Sequence, residues 1–336
     1  MLAWQVSSFG VDSLEFVERP TPQPGPGEVL VKMRAISLNY RDLLIVKGHY
    51  NPKLKLPRIP CSDGAGEVEA VGAGVTAWKP GDRVVAIFMQ NWLEGPLTPI
   101  RARGALGGDI DGTLAEYIVV KQSGLVNLPE YLSFEEAATL PCAAVTAWNA
   151  LAAGNVKPGD SVLIQGTGGV SIFAIQLARL RGARILGISS SNEKLERASK
   201  LGLDAFLNYE DEPAWDLWAL EQTGGEGVDL VVDVGGAGTL TRSLRALRTG
   251  GVVSLVGVLT GPADPVSFPI ASVLHKQARI QGIYVGSRKD FIELNKAISL
   301  ANLRPVCEVA HYSLAREALK RIEEGGHFGK LVLRVE

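Results

Sequence analysis

The chain has little sulfur: three cysteines, Cys61, Cys142 and Cys307, widely spaced and odd in number within 336 residues. That excludes a disulfide scaffold and fits a reducing compartment. An excess of one charge is also missing, since 34 Lys and Arg stand against 36 Asp and Glu for a net of −2. The balance gives no electrostatic case for nucleic acid or an anionic membrane surface. No uncharged apolar run reaches the roughly 18 residues a membrane helix needs. The opening MLAWQVSSFG has neither the charged start nor the apolar core of a signal peptide. No internal repeat or low-complexity tract is visible. What remains is a soluble cytoplasmic protein whose partner is a small molecule.

The chain is 46% hydrophobic, with 38 glycines and 18 prolines, a composition for folded structure rich in turns. Its length suggests two domains, and two textures run along it. Residues 1–125 read as short strands and turns: GEVLVKMRAISL alternates from Glu28 onward, and GEVEAVGAGV and PGDRVVAI add strand and turn signals. From 126 to 285 strands and helices alternate. Predicted strands are Ser161–Gln165, Arg184–Ser189, Ala205–Leu207, Asp229–Val234, Val252–Val256 and Ile280–Val285. One predicted helix carries an apolar stripe of Val170, Phe173, Ala174, Leu177 and Ala178. Alternation of this kind makes an α/β, doubly wound parallel sheet. The tail, 286–336, has a helix over Ser313–Glu324 and a final strand, KLVLRV, that returns to the first domain.

Gly166-Thr167-Gly168-Gly169-Val170-Ser171 follows the apolar strand SVLIQ and opens the striped helix. Glycines there permit a tight turn and a close backbone approach to a pyrophosphate, which meets the free N–H groups of the helix start. Ser171 departs from the usual Gly or Ala at the third small position. At the end of the second strand an acid would accept from a free ribose 2′-hydroxyl and repel a 2′-phosphate. Ser189, Ser190 and Ser191 stand there instead, with Lys194 just beyond. Donors plus a cation suit a phosphate and favour NADP(H) over NAD(H). The same serines also serve as helix caps, and both uses are compatible.

With the glycine turn, GEVEAVGAGV, PGDRV and this domain order, the whole chain resembles the medium-chain dehydrogenase/reductase superfamily. The resemblance implies a GroES-like, mostly antiparallel β catalytic domain (1–125 and 286–336), a six-stranded Rossmann domain (126–285), and a site between them. It also implies a homodimer or homotetramer joined through the cofactor domains. Zinc-dependent members carry a ligand Cys where this chain has Asn39, a His-Glu pair where it has Ser62-Asp63, and a further Cys matched by Cys142. One thiolate does not hold a catalytic zinc, which takes about three protein ligands. The paired cysteines of the structural zinc lobe are absent too, and Cys142 is read as a small buried residue. A rearranged zinc site of Cys61, Asp63 and Cys142 is the alternative.

The resemblance points instead to the zinc-independent, quinone-oxidoreductase-like branch, whose pattern is matched by Asn39-Tyr40-Arg41-Asp42, Gly48-His49-Tyr50 and Asn208-Tyr209. It puts Tyr209 at the adenosine end of the cofactor. The expected activity is NADPH-dependent reduction of a quinone or α,β-unsaturated carbonyl without metal. Without a Lewis acid, hydrogen-bond donors must hold the developing negative charge. Asn39 and Tyr50 are the candidates, with the proton from Tyr50 or water. As residues alone they read equally as a turn amide and a loop aromatic. Asp42 is expected to orient Asn39 or Arg41, or to cap a helix. His49, Arg101 and Arg103 read as surface residues. Gly235 (with Gly236) and Gly257, at strand carboxyl ends, serve either nucleotide approach or turn-making. Val285 and Ser287 are expected along the nicotinamide, and Lys330 towards the cofactor. The segment Trp92–Thr113 is expected to shape or cover the substrate pocket. Two other readings stand: a zinc-independent NADP-dependent alcohol dehydrogenase or aldehyde reductase, and a non-catalytic NADPH-binding sensor.

Overall fold

A computed structural model of the chain describes residues 1–260 and 269–336. They form two compact units, Met1–Val145 with Gly286–Glu336, and Thr146–Val285. The chain begins with an antiparallel hairpin of β1 (Leu2–Val6) and β2 (Leu14–Glu18). β3 (Glu28–Leu38) is long and mostly buried, half-buried only at Glu28, Lys32 and Arg34, before running into α1 (Tyr40–Val46). Next come β4 (Asp63–Val71), β5 (Arg83–Ala86), β6 (Tyr117–Lys121), β7 (Leu125–Asn127), α2 (Phe134–Ala138) and a π-helical turn over Leu140–Ala144.

The second unit follows α3 (Val145–Ala153) with β8 (Ser161–Gln165), α4 (Gly169–Leu180), β9 (Arg184–Ser189), α5 (Asn192–Ser199) and β10 (Ala205–Asn208). It continues through α6 (Trp215–Gln222), β11 (Val228–Asp233), α7 (Leu240–Ala246), β12 (Leu247–Leu255), α8 (Ile270–Lys276) and β13 (Arg279–Gly282). The chain then returns to the first unit with α9 (Arg288–Leu300), β14 (Cys307–His311), α10 (Ala315–Glu323) and β15 (Lys330–Arg334).

In the first unit β3 is the axis of the sheet, whose order is β14-β15-β3-β4-β5-β7. Its first half pairs β6 and its second half pairs β15, both antiparallel. Leu331 sits opposite Leu38, so the start of the last strand lies beside the end of β3. Met33 and Ile36 of β3, Leu43 of α1, Leu319 of α10 and Leu331 of β15 share one buried core. Residues 126–145 belong to this unit and not, as the change of texture suggested, to the cofactor unit. β7 pairs β5, and α2 packs on β3 and β4.

The second unit is an all-parallel sheet, with six strands among the described residues in the order β10-β9-β8-β11-β12-β13. The order reverses between β8 and β11. In open α/β sheets that switch point, at the strand carboxyl ends, is where nucleotides bind. β8 and β9 have the predicted bounds. β13 stops at Gly282, short of the predicted Val285, because Val285 takes φ 55° and cannot extend a strand.

Just beyond β12, Gly257 lies against the end of β11: a methyl group there would stand 2.0 Å from the Val234 carbonyl oxygen. The chain's own backbone therefore demands this glycine, whether or not a nucleotide passes it. Gly257→Ala is expected to cost about 1–3 kcal/mol through overpacking, measured as a lower unfolding midpoint. An unchanged midpoint would mean that the strand ends are not packed this closely.

Candidate functional site

In the second unit the glycine turn is built from β8 outward. Gly166 takes φ 73° and donates its N–H to Ile188 at 2.6 Å, so a left-handed turn is pinned to the neighbouring strand. Gly168 caps α4 without any side-chain bond, and Gly169 and Val170 begin the helix. The first-turn N–H groups, unused by a side-chain cap, and the helix dipole suit a phosphate. Thr167 is buried beside them. Ser171 explains its own departure from the pattern: its hydroxyl donates to the Gln165 carbonyl at 2.6 Å, tying the helix back to the strand it left.

The other cofactor candidates lie at or near the same strand ends. Ser189 is buried at the end of β9, and Ser190 is exposed. Ser191 is the cap of α5, accepting the Lys194 N–H at 3.3 Å. Of the three serines read as phosphate donors, Ser191 is thus the one spent on capping. The half-buried Tyr209 donates its N–H to the Ser189 carbonyl at 3.0 Å. Gly235 is held by the Gln165 amide oxygen at 3.4 Å and by the Thr260 hydroxyl on its carbonyl at 2.9 Å. Beneath it Asp233, fully buried, accepts from the Gly236 N–H (2.8 Å), Thr239 (2.7 Å) and Ser243 (2.6 Å). Loops after β8, β11 and β12 are thereby fastened to one another. Val285 at φ 55° is a strained conformation for a β-branched residue, and Asn149 holds its carbonyl at 2.8 Å. Ser287, in the first unit, spends its hydroxyl on capping α9, bonded both ways to Asp290.

The first unit holds a buried polar cluster. Asn39 ends β3 and precedes α1, and its N–H donates to the Asp42 carboxylate at 2.9 Å, so Asp42 does cap a helix. Arg41 donates to Asp42 at 3.1 Å and to the Leu106 carbonyl at 3.0 Å. Lys330 is 3% exposed. Its ammonium donates to the Leu38 carbonyl and, at 2.6 Å, to Asn39 Oδ1. It was expected at the cofactor; its ammonium is bonded instead to Leu38 and Asn39. Asn39 Nδ2 reaches Ser62 Oγ at 3.5 Å, Ser62 donates to Asp63 at 2.7 Å, and the Cys142 N–H donates to the same carboxylate at 3.2 Å. Tyr50 is exposed, with the Arg41 guanidinium 5.3 Å from its ring centre; Arg41 is the contact that links it to the cluster. Ser62, Asp63 and Arg41 were not expected to act in the site, Asp63 entering only as a ligand of the alternative zinc site. The signal for the first two was a polar pair leading into the small, apolar start of β4, Gly64-Ala65-Gly66.

The long segment beyond Trp92 is anchored at its far end. Gly112 and Thr113 donate to the Ile59 and Cys61 carbonyls at 2.8 and 3.0 Å. Cys61 itself is fully buried at φ 71°, a second strained point beside the cluster. Arg101 donates to the Pro96 carbonyl within the loop.

Burial pushes the Asp42 carboxyl up to about 6, against the pull of Arg41. Burial also raises Asp63, opposed by Lys330 and by its hydrogen bonds. The Cys61 and Cys142 thiols are pushed well up by burial and are poor thiolate donors. Ser62 is a neutral hydroxyl, and an ammonium already occupies the Asn39 oxygen. Among the described residues no three His, Cys, Asp or Glu are grouped to hold a metal. This donor set does not fit zinc.

Family comparison meets this site with an informative mismatch. Residues 25–130 match the alcohol dehydrogenase GroES-like domain, and residues 169–299 match the zinc-binding dehydrogenase domain. The zinc-type alcohol dehydrogenase-like protein C1773.06c of Schizosaccharomyces pombe is 44% identical, covering 97% of this chain and 96% of its own. A solved NAD-dependent alcohol dehydrogenase is 36% identical with a TM-score of 0.91, covering all of both chains. The acryloyl-coenzyme A reductase of Metallosphaera sedula is 29% identical over 95% of this chain and 96% of its own. The fold and these relatives define an NAD(P)-dependent oxidoreductase. The chain belongs to the medium-chain dehydrogenase/reductase superfamily.

Asp42 makes stability depend on pH. Its folded value, about 6, lies above the open-chain value of about 4. The folded chain keeps the proton longer, so its contribution is full below about pH 4 and is lost as pH rises through about 6. The stability of the wild type relative to Asp42→Asn is therefore expected to fall by up to about 3 kcal/mol between pH 4 and 7. Denaturant titrations across that range measure it, and a constant difference would mean that Asp42 titrates as an open-chain acid.

Proposed function

We propose that this oxidoreductase is an NADP(H)-dependent reductase of quinones or α,β-unsaturated carbonyls that works without a metal ion. The observation that carries the reading is the run of hydrogen bonds from Lys330 through Asn39 and Ser62 to Asp63. It stands where the resemblance puts the ligands of a catalytic zinc. A cation belonging to the protein and an amide replace the ion and its ligands. The acryloyl-coenzyme A reductase relative, named for an activated double bond, supports the substrate class.

NADPH, when bound, supplies the hydride. The turn Gly166–Val170 would hold its pyrophosphate, with Gly235 along its path. Tyr209 would meet the adenosine, and Ser189, Ser190 and Lys194 would receive the 2′-phosphate, where an acid would repel it. In the first unit the Asn39 amide would donate to the oxygen that gains charge. Such a donor is worth about 10²–10³ in kcat. Asp42 holds α1 and Arg41 in place behind it, and Tyr50, exposed, is a candidate proton source. A second reading is metal-free alcohol or aldehyde chemistry with the same cofactor; the names of two relatives, one a zinc-type and one an NAD-dependent alcohol dehydrogenase, favour its substrate class alone. No helix among the described residues is long and apolar enough to cross a membrane; a cytoplasmic homodimer or homotetramer is proposed on the habit of the family.

Steady-state NADPH oxidation over quinones, enones and aldehydes tests the reading. Turnover is expected with the first two, at well under one zinc per chain by elemental analysis. Asn39→Ala should lower kcat by about 10²–10³. Aldehyde-only turnover selects the second reading, and metal-dependent turnover overturns both. Tight cofactor binding with no turnover would make the protein a sensor. By calorimetry NADPH is expected to bind at least about tenfold more tightly than NADH, a difference of about 1.4 kcal/mol; equal or reversed affinity removes the serine argument.

A further inference from the structure

We infer that Lys330 decides which way round the Asn39 amide sits, and so makes its NH2 end the one a substrate oxygen meets. The two ends of a carboxamide have nearly the same shape, and only their partners distinguish them. An ammonium donates and never accepts. The end of Asn39 that lies 2.6 Å from Lys330 Nζ must therefore be the oxygen.

The Lys330 side chain has little freedom to let go. It is buried, and its ammonium is also bound to the Leu38 carbonyl, the acceptor immediately before Asn39 in the chain. Its own N–H is fixed on the Val306 carbonyl at 3.0 Å, and β15 is paired with β3. At the other end of the amide, Ser62 spends its hydrogen on Asp63 at 2.7 Å. Its oxygen is left able to accept from Asn39 Nδ2 at 3.5 Å. The two N–H bonds of an amide diverge, whereas the Ser62 and Asp63 oxygens lie together. Asn39 Nδ2 is bonded to that pair, to Asp63 as well as to Ser62, and the N–H turned away from it is the one offered to a ligand. Donor direction is thus set along the whole run, from ammonium to amide to hydroxyl to carboxylate.

Reversal of the amide would aim a carbonyl oxygen at a developing oxyanion and repel it. Lys330 is a positioning residue in this scheme: it acts through Asn39, and its charge further polarises the amide from behind. The inference rests on the reductase reading for its use, but the orientation can be measured apart from turnover.

The experiment compares wild type with Lys330→Met, Lys330→Arg, Asn39→Ala and the Lys330→Met/Asn39→Ala double variant. Two quantities are read: kcat with NADPH and the best substrate of the panel, and calorimetric affinity of the NADP⁺-loaded protein for p-nitrophenolate, an oxyanion that accepts no hydride. Lys330→Met is expected to lower kcat about a hundredfold and to weaken p-nitrophenolate about tenfold, with NADPH affinity within about twofold of wild type. Lys330→Arg, also donor-only, should recover most of both. The double variant should be no worse than Asn39→Ala by more than about twofold, since residues acting as a unit do not add. Additive losses, unchanged p-nitrophenolate binding in Lys330→Met, or a loss confined to NADPH affinity would each overturn the inference. If the wild type reduces nothing in the panel the reductase reading fails, and the p-nitrophenolate series still decides the amide's orientation.

Discussion

A lysine ammonium shut away from water is the constraint around which the first unit is organised. A buried charge is costly unless it is paired or fully hydrogen-bonded, and Lys330 obtains its partners from the far end of a neighbouring strand. β15 lies antiparallel to β3 with Leu331 opposite Leu38, which puts the Leu38 carbonyl and the Asn39 amide within its reach. Asn39 in turn is fixed at the head of α1 by Asp42, and Arg41 closes over that acid. Removal of any one member leaves a buried polar group without its complement. The cluster is accordingly a single unit of structure, not a set of independent side chains.

The second unit solves a different problem. Its strand ends must present backbone N–H to an anion and still hold their shape. Ser171 binds α4 to the end of β8, and Asp233 gathers N–H and hydroxyl donors from the loop and helix that follow β11. Gly257 lets the chain pack directly on Val234. Rigidity there comes from short bonds between adjacent loops, and few side chains need to reach out.

Much of this was legible in the residues. Short apolar runs, VLI in β8 and ILGI in β9, closed by Gln-Gly and by serine, marked the two strands with their observed bounds, because a buried parallel strand leaves little ambiguity of period. The boundary between units was misplaced because α2 and the π-helical turn read as helix, whereas their packing partners, β3 and β4, lie far back in the chain. Asn39 and Asp42 were visible as a local motif. Lys330 was visible as a residue but not in its role, since its amide partner is 291 positions away and no local spacing encodes that distance. Ser62 and Asp63 were seen as lost ligands and not as members of the hydrogen-bonded run that starts at Lys330. Val285 was assigned to a strand it cannot join, for nothing in its type announces a left-handed backbone.

The ammonium beside Asn39 also bears on how such a site can change over generations. Restoring a cysteine at 39 and a histidine at 62 would set a thiolate against Lys330, where the two would neutralise each other as an ion pair before any metal arrived. The lysine would have to be lost at the same time, yet its loss alone strands the Asn39 oxygen and the Leu38 carbonyl. Each single step is penalised, so residues 39 and 330 are bound to change together.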